Sequence, residues 1–274
     1  MSNNRRYDRS IRYMRDRWPI FIALYGLLVM AMLFIGMGLA LDWYSLIPFS
    51  LAILLVASYF LIAHAYVAYQ INDAPGGTAA EILFDLAQGE PGHQVVCIDL
   101  GLRVTAVSIA RHLTTGKVTV IDVFNPQSNT SAALRRARAR APRTPSDPRL
   151  NWIDGSTSLL PLPDRSVDSV YINQILSEFW IVEEQEQLLD EIRRILIPEG
   201  RLLLAEPIRS CRNPLLTGIL TYPLPTDRQW RSLLDSAGFE FQRGEIARGL
   251  LFCGRFDKPS PTAGKQMQLK LEYD

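Results

Sequence analysis

Two long apolar runs near the start of the chain give way, beyond residue 78, to short apolar runs alternating with amphipathic ones. From Trp18 to Leu41, "WPIFIALYGLLVMAMLFIGMGLAL", 24 residues carry no charge. As a helix this run is about 36 Å long, enough to cross a hydrocarbon core of about 30 Å. Asp42 interrupts it. Residues 43–69, "WYSLIPFSLAILLVASYFLIAHAYVAY", are then free of formal charge apart from any on His64. Pro48 stands near the start of that run, where a first helical turn tolerates it. Trp18, Trp43, Tyr44, Tyr66 and Tyr69 lie near the run ends, where amphipathic rings favour a membrane interface. The pattern predicts a transmembrane helical hairpin over 18–70, with a connection of one to four residues. The alternative is a buried hairpin of a soluble protein, but two such runs in succession are rare in soluble cores. A cleaved signal peptide fits less well, because the first run is too long and a second follows at once.

Residues 71–77, "INDAPGG", read as a linker rich in turn formers. "TAAEILFDLAQG" predicts a helix with Thr78 as cap, Glu81 completing a capping box and Gly89 ending it. Strands are predicted at 94–100, 117–124, 150–154, 167–173 and 200–207. Helical patterns at 104–113, 131–141, 182–196 and 226–238 separate them. The helix at 182–196 carries acids early and arginines late, as the macrodipole favours. Residues 239–247 and 249–256 suit a closing antiparallel pair. Strand–helix alternation implies a parallel sheet covered on both faces, with ligands bound beyond the carboxyl ends of the strands. The tail 258–274 is expected to be loosely ordered.

The net charge of +1 creates no global field that would point to nucleic acid. Its placement is more informative. Six arginines precede Trp18, at 5, 6, 9, 12, 15 and 17, against Asp8 and Asp16. This basic segment, 1–17, predicts a cytoplasmic N-terminus, and two crossings of the plasma membrane return the rest of the chain to the same side. Tyr7, Ile11 and Met14 follow helical spacing, which suits either a short interfacial helix on anionic lipid or a basic tail that only sets topology. A second cluster, Arg135, Arg136, Arg138, Arg140 and Arg143, falls on the helix at 131–141. It reads as a solvated face, or as a contact for lipid or a protein partner. These arginines lack interleaved aromatics, so a nucleic-acid partner is not expected. Cys97, Cys211 and Cys253 are dispersed, and the histidines are only 64, 93 and 112, so no metal site is expected.

The strand ends carry the candidate chemistry. The first delivers Asp99 and Gly101. The second delivers Asp122, 21 residues after Gly101 and suited to ribose hydroxyls. The third delivers Asp154, followed by Gly155 and Ser156. The run from Asp154 through Val170, with its "LPLPD" loop, is followed by "LLDEIRRILIPEGRLLLAEP" at 188–207 and "WRSLLDSAGF" at 230–239. Together these resemble a class I S-adenosylmethionine-dependent methyltransferase, a domain of the methyltransferase type 11 kind, over roughly residues 78–257. The resemblance implies an α/β fold: a Rossmann-like seven-stranded sheet with helices on both faces, here preceded by two transmembrane helices. It further implies S-adenosylmethionine as cofactor, held by Asp99, Gly101, Arg103, Asp122, Asp154, Gly155, Ser156 and Asn173. Asn173 and Gln174 lie where methyl donor and acceptor would meet, and Asn173, Glu178, Glu206 and Tyr222 are candidates to orient an acceptor.

One departure stands out. The family's turn has three glycines, and Arg103 and Thr105 occupy the second and third positions. A side chain there penalises positive φ and close backbone approach. Arg103 either swings aside, pairs with the cofactor's carboxylate, fills its space or lies on the surface. Two functions follow. One is a membrane-anchored methyltransferase acting on a small, hydrophobic or lipid-like acceptor, a reaction that needs positioning more than acid–base groups. The other is a non-catalytic membrane adaptor with a degenerate methyltransferase fold. A nicotinamide dehydrogenase is disfavoured, because no G-x-G-x-x-G follows the first strand.

Overall fold

Five of the short apolar runs form parallel strands. A computed structural model describes residues 8–74, 78–88, 94–113, 116–141, 147–210, 213–218 and 223–260. The strands are β1 (Val95–Asp99), β2 (Val118–Asp122), β3 (Leu150–Asp154), β4 (Val167–Asn173) and β5 (Leu196–Pro207). β6 (Glu240–Ala247) and β7 (Leu251–Asp257) complete a seven-stranded sheet in the order β3-β2-β1-β4-β5-β7-β6. β7 runs antiparallel to both of its neighbours, and the other pairings are parallel. Every residue of β1 is buried, as expected of a strand at the centre of a sheet covered on both faces. This is the parallel sheet that the alternating pattern predicts, in the Rossmann-like seven-stranded form that the resemblance implies.

The chain divides into two compact units. The sheet unit comprises 77–210 and 223–274. Its helices include α4 (Ala79–Ala87), α5 (Val104–His112), α6 (Ala132–Ala139), α7 (Val182–Ile195) and α9 (Asp227–Ser236). Thr78 and Glu81 form the expected capping box: Thr78 N donates to Glu81 Oε2 at 2.6 Å, and Glu81 N to Thr78 Oγ1 at 3.4 Å. α7 buries Leu188, Leu189, Ile192 and Ile195. Its Arg194 reaches over the loop after β3. Nη1 donates to Leu162 O and Nη2 to Leu160 O, both at 2.9 Å, while Glu191 Oε2 accepts from Leu160 N at 2.7 Å. The "LPLPD" loop is therefore fastened to α7 by its own backbone.

Two boundaries differ from expectation. β5 starts at Leu196, four residues before the predicted strand, because the "IPEG" run continues it through a left-handed Glu199 at φ +63°. Lys258, the first residue of the expected tail, is held in the sheet unit. Lys258 N donates to Gly200 O and Lys258 O accepts from Glu199 N, both at 2.9 Å, so this residue closes the start of β5. Residues 261–274 lie outside the described residues, as do 75–77 of the expected linker.

The second unit comprises 1–76 and 211–222. It contains α1 (Asp8–Asp16), α2 (Trp18–Ala40), α3 (Leu46–Asn72) and α8 (Asn213–Thr217). α2 and α3 are long and apolar enough to cross a membrane. The connection is 41–45, one residue longer than expected, with Asp42 at φ +57° and Trp43 N donating to Gly38 O at 2.8 Å. The positions these helices bury are mostly small: Ala31 and Gly38 on α2, and Ser50, Ala57, Ala63, Val67 and Ala68 on α3, with Ala31 and Gly38, and Ser50 and Ala57, each seven apart. Small side chains at that interval let two backbones approach closely, as membrane helix pairs do. α1 turns Ser10 inward, its N–H donating to Asp73 Oδ2 at 2.8 Å, and leaves Ile11 exposed.

Replacing Arg194 with Ala removes donors from two loop carbonyls and leaves Glu191 without its cation. We expect a loss of about 2 kcal/mol and a thermal midpoint lower by several degrees. Lysine at 194 restores little, because one ammonium cannot reach both carbonyls. Thermal unfolding of the purified protein in detergent measures both effects.

Candidate functional site

Parallel pairing sets three acids in a row. Asp99 is the register partner of Asp122, and Asp122 of Asp154, so the last residues of β1, β2 and β3 stand side by side on the carboxyl edge. The turn after β1 is held by the first of them. Asp99 is buried, and its Oδ2 accepts from Arg103 N at 2.7 Å. Burial pushes its carboxyl above the ordinary range, the Arg103 N–H opposes that shift, and the charge on Asp122 adds to it. Gly101 and Arg103 are both left-handed, at φ +80° and +67°. For an arginine this backbone costs on the order of 1–2 kcal/mol, and the buried Asp99 bond helps to hold it. The Arg103 guanidinium extends toward β3, 5.9 Å from the Trp152 ring centroid.

A different arginine faces Gly101. α6 starts after β2, with Ser131 Oγ accepting from Leu134 N at 3.3 Å. Leu134 is buried, and Arg138, one turn later, shares its face. Arg138 reaches back to Asp122 with an N···O separation of 2.6 Å and lies 4.3 Å from the Phe124 ring centroid. A Cβ placed on Gly101 would fall 2.0 Å from Arg138 Nη1. The bare face of Gly101 is thus filled by this guanidinium, and Asp122, expected to receive ribose hydroxyls, is engaged by the same group. The sequence reading missed Arg138. Its only signal was the four-residue offset from Leu134, which four other arginines nearby obscure.

The other candidate residues divide between the two neighbouring strand ends. Asp154 is exposed, and Gly155 N donates to Asp122 O at 2.9 Å. Ser156 is occupied in the loop, where its Oγ accepts from Leu159 N at 3.1 Å. Asn173, at the end of β4, donates from Nδ2 to Thr105 Oγ1 at 2.9 Å, which ties β4 to the start of α5. Its Oδ1 is buried and has no partner among the described residues. Gln174 follows with φ +55°, a second side chain held left-handed at this edge. Glu178 ends a 3-10 turn, Leu176–Glu178, and its carbonyl accepts from Asn129 Nδ2 at 3.2 Å.

Glu206 corrects an expectation. It was a candidate to orient an acceptor, but it is fully buried and caps that 3-10 turn. Its Oε1 accepts from Ile175 N and Leu176 N at 2.8 Å, and its Oε2 from Ser177 N at 3.2 Å. Burial pushes its carboxyl up to about 7, against the pull of these donors. Tyr222 lies outside the described residues.

A carboxyl with a raised folded-state pKa holds its proton between its unfolded value and about 7, where the unfolded chain has lost one. Stability from this group is complete below the unfolded pKa and declines as pH rises through about 7. Glu206→Gln should flatten that part of the profile, because it removes the titration. Denaturant unfolding of both proteins from pH 4 to pH 8 checks this, and an unchanged slope would exclude Glu206 as its source.

Residues 98–204 match a family model described as a methyltransferase domain. A curated protein of Mycolicibacterium smegmatis (strain ATCC 700084 / mc(2)155), called a probable S-adenosylmethionine-dependent methyltransferase, is 35% identical over 115 residues. That match spans 40% of this chain and 41% of the relative, so less than half of the relative's length is represented. Among solved structures, a methyltransferase from Aquifex aeolicus described as dependent on S-adenosylmethionine is similar with a TM-score of 0.50 and 17% identity. The likeness covers 69% of this chain and 91% of that one. A chain of the Haloferax volcanii complex containing the Trm112 methyltransferase activator scores 0.51 at 15% identity, covering 70% of this chain and 90% of that one. At such identities the structures speak to fold, and they share the seven-stranded architecture described above. Residues 98–204 are therefore similar to a methyltransferase domain, on a Rossmann-like seven-stranded fold shared with solved methyltransferases.

Proposed function

We propose that the protein is a membrane-anchored S-adenosylmethionine-dependent methyltransferase acting on a small acceptor of hydrophobic or lipid-like character. The observation that carries this reading is the row Asp99, Asp122 and Asp154 beside a left-handed turn, within a domain matched as a methyltransferase. Gly101 presents a backbone face without Cβ, Asp122 a carboxylate for ribose hydroxyls, and Asp154 with Gly155 and Ser156 the side suited to adenine. The residues fit the cofactor once Arg138 leaves. Its side chain is 34% exposed and has the rotamer freedom to do so. Bound there, the cofactor supplies a methyl group already activated as a sulfonium. The protein's part is then to hold the two reactants in line and exclude water. Asn173 has a buried Oδ1 free to accept a hydrogen bond at this edge, and Glu178 stands on the turn that follows.

Two features support a hydrophobic acceptor. Val104, Leu159, Trp180, Ile181 and Val182 are exposed, and all lie on segments that leave the carboxyl ends of β1, β3 and β4. Exposed apolar side chains concentrated on one edge mark a binding surface. The helices α2 and α3 are also exposed along most of their length, unlike core helices of a soluble protein. The arginine-rich start supports a cytoplasmic N-terminus, and two crossings of the plasma membrane would leave the methyltransferase domain on that side too.

The non-catalytic adaptor remains a second reading, favoured by one observation: Arg138 fills the face of Gly101 and holds Asp122. Calorimetry with S-adenosylhomocysteine on the full chain in detergent separates the two. We expect binding by the native protein, tighter binding by Arg138→Ala and a loss of at least tenfold, about 1.4 kcal/mol, in Asp122→Ala. Absence of binding up to millimolar ligand by both the native protein and Arg138→Ala would leave the adaptor. For topology, a thiol reagent that does not cross membranes should label Gln266→Cys only after the cells are permeabilised.

A further inference from the structure

The chain contains one apolar element that the methyltransferase sheet does not use. Between β5 and α9, residues 213–226, "NPLLTGILTYPLPT", carry no charge, although Arg209 and Arg212 precede them and Asp227 and Arg228 follow. This stretch leaves the sheet unit: 211–222 belong to the unit of α2 and α3. Its helix α8 packs on α3, and the contact falls at a definite height. Tyr59 Oη donates to Leu215 O at 2.7 Å. Gly218, left-handed at φ +66°, is so close that a Cβ on it would lie 3.2 Å from Phe60 Cε1.

Tyr59 is the central residue of α3, 13 positions from Leu46 and 13 from Asn72. A helix of 27 residues is about 40 Å long, and a hydrocarbon core is about 30 Å thick. Wherever such a core sits along α3, its middle lies at least about 10 Å below either surface.

We infer that residues 213–218 are a re-entrant element, set among the acyl chains of the bilayer and docked on the middle of α3. This rests on the proposed crossing by α3. The polar groups of the contact are those such a setting demands. A tyrosine hydroxyl and a carbonyl of a five-residue helix, which has no intrahelical donors for its last four carbonyls, are each costly in hydrocarbon unless paired. Here they pair with each other. Thr217 Oγ1 donates to Asn213 O at 3.0 Å, which satisfies a second carbonyl and the threonine hydroxyl together. Leu215 is 65% exposed, an outward leucine, as a lipid-facing residue should be. Because the same segment is the connection between β5 and α9, the methyltransferase domain would carry an insertion that reaches into the membrane, where a lipid-like acceptor dissolves.

The test uses the full chain reconstituted into phosphatidylcholine–phosphatidylglycerol vesicles, with Cys211 replaced by Ser and Cys97 and Cys253 left in place, since both are buried. Leu215→Cys, Leu55→Cys on α3 and the exposed Asp235→Cys on α9 are each labelled with nitrobenzoxadiazole. Quenching is measured with lipids spin-labelled at carbon 12 of the acyl chain. We expect labels at 215 and 55 to be quenched several-fold more than the label at 235, with blue-shifted emission. Quenching at 55 but not at 215 overturns the re-entrant element and leaves the crossing intact. Quenching at neither overturns both.

Discussion

A parallel sheet buried on both faces sends every one of its parallel strands out along the same edge, and that constraint organises the whole sheet unit. Backbone pairing without slip from β1 to β3 turns three aspartates, separated by more than fifty residues of chain, into neighbours. The same geometry starts α5 and α6 above that edge. It brings the turn at 101–103 and the face of α6 within reach of one another. Like charges so placed repel, and Asp99 answers by burial and by accepting the Arg103 N–H, which fixes a backbone that an arginine would otherwise avoid.

The edge is balanced electrostatically by α6. Arg138 neutralises Asp122, covers the glycine face and lies against Phe124, so a single side chain satisfies charge, space and ring contact together. An ion pair this exposed is held loosely, because water screens it and a long side chain loses entropy in holding one geometry. The contact is therefore well suited to exchange with a polar ligand that offers Asp122 hydroxyl groups instead. The neighbouring edge, by contrast, is rigid. Glu206 gathers three backbone N–H groups of the turn after β4, and Asn173 bonds across to α5.

The hairpin obeys different physics. α2 and α3 bury mainly small residues, among them Ala31, Gly38, Ser50 and Ala57, and leave many bulky residues exposed. In water that arrangement would be inside out. In lipid, close backbone contact is the attraction and outward leucines carry no penalty. The Tyr59 hydroxyl and the Leu215 carbonyl satisfy one another, a pairing that matters most wherever water is excluded.

Much of this was legible in the chain. Local patterns carry local information. Uncharged runs longer than a bilayer mark α2 and α3, alternating short runs mark the strands, and the spacing of Asp99, Asp122 and Asp154 follows from repeated strand–helix units. The Thr78 and Glu81 capping box was readable for the same reason, as all its atoms lie within four residues. What the sequence could not reveal depends on contacts between distant residues. Which of five arginines meets Asp122 depends on how α6 is rotated over β2, and Leu134 sets that rotation only once the core exists. Glu206 looked like a free strand-end acid until folding put three N–H groups 30 residues away around it. The placement of 213–218 beside Tyr59 joins positions 156 apart. Composition and periodicity determined the elements and the order of the acids. Tertiary packing decided which charges pair, which acid is structural, and where the apolar stretch after β5 resides.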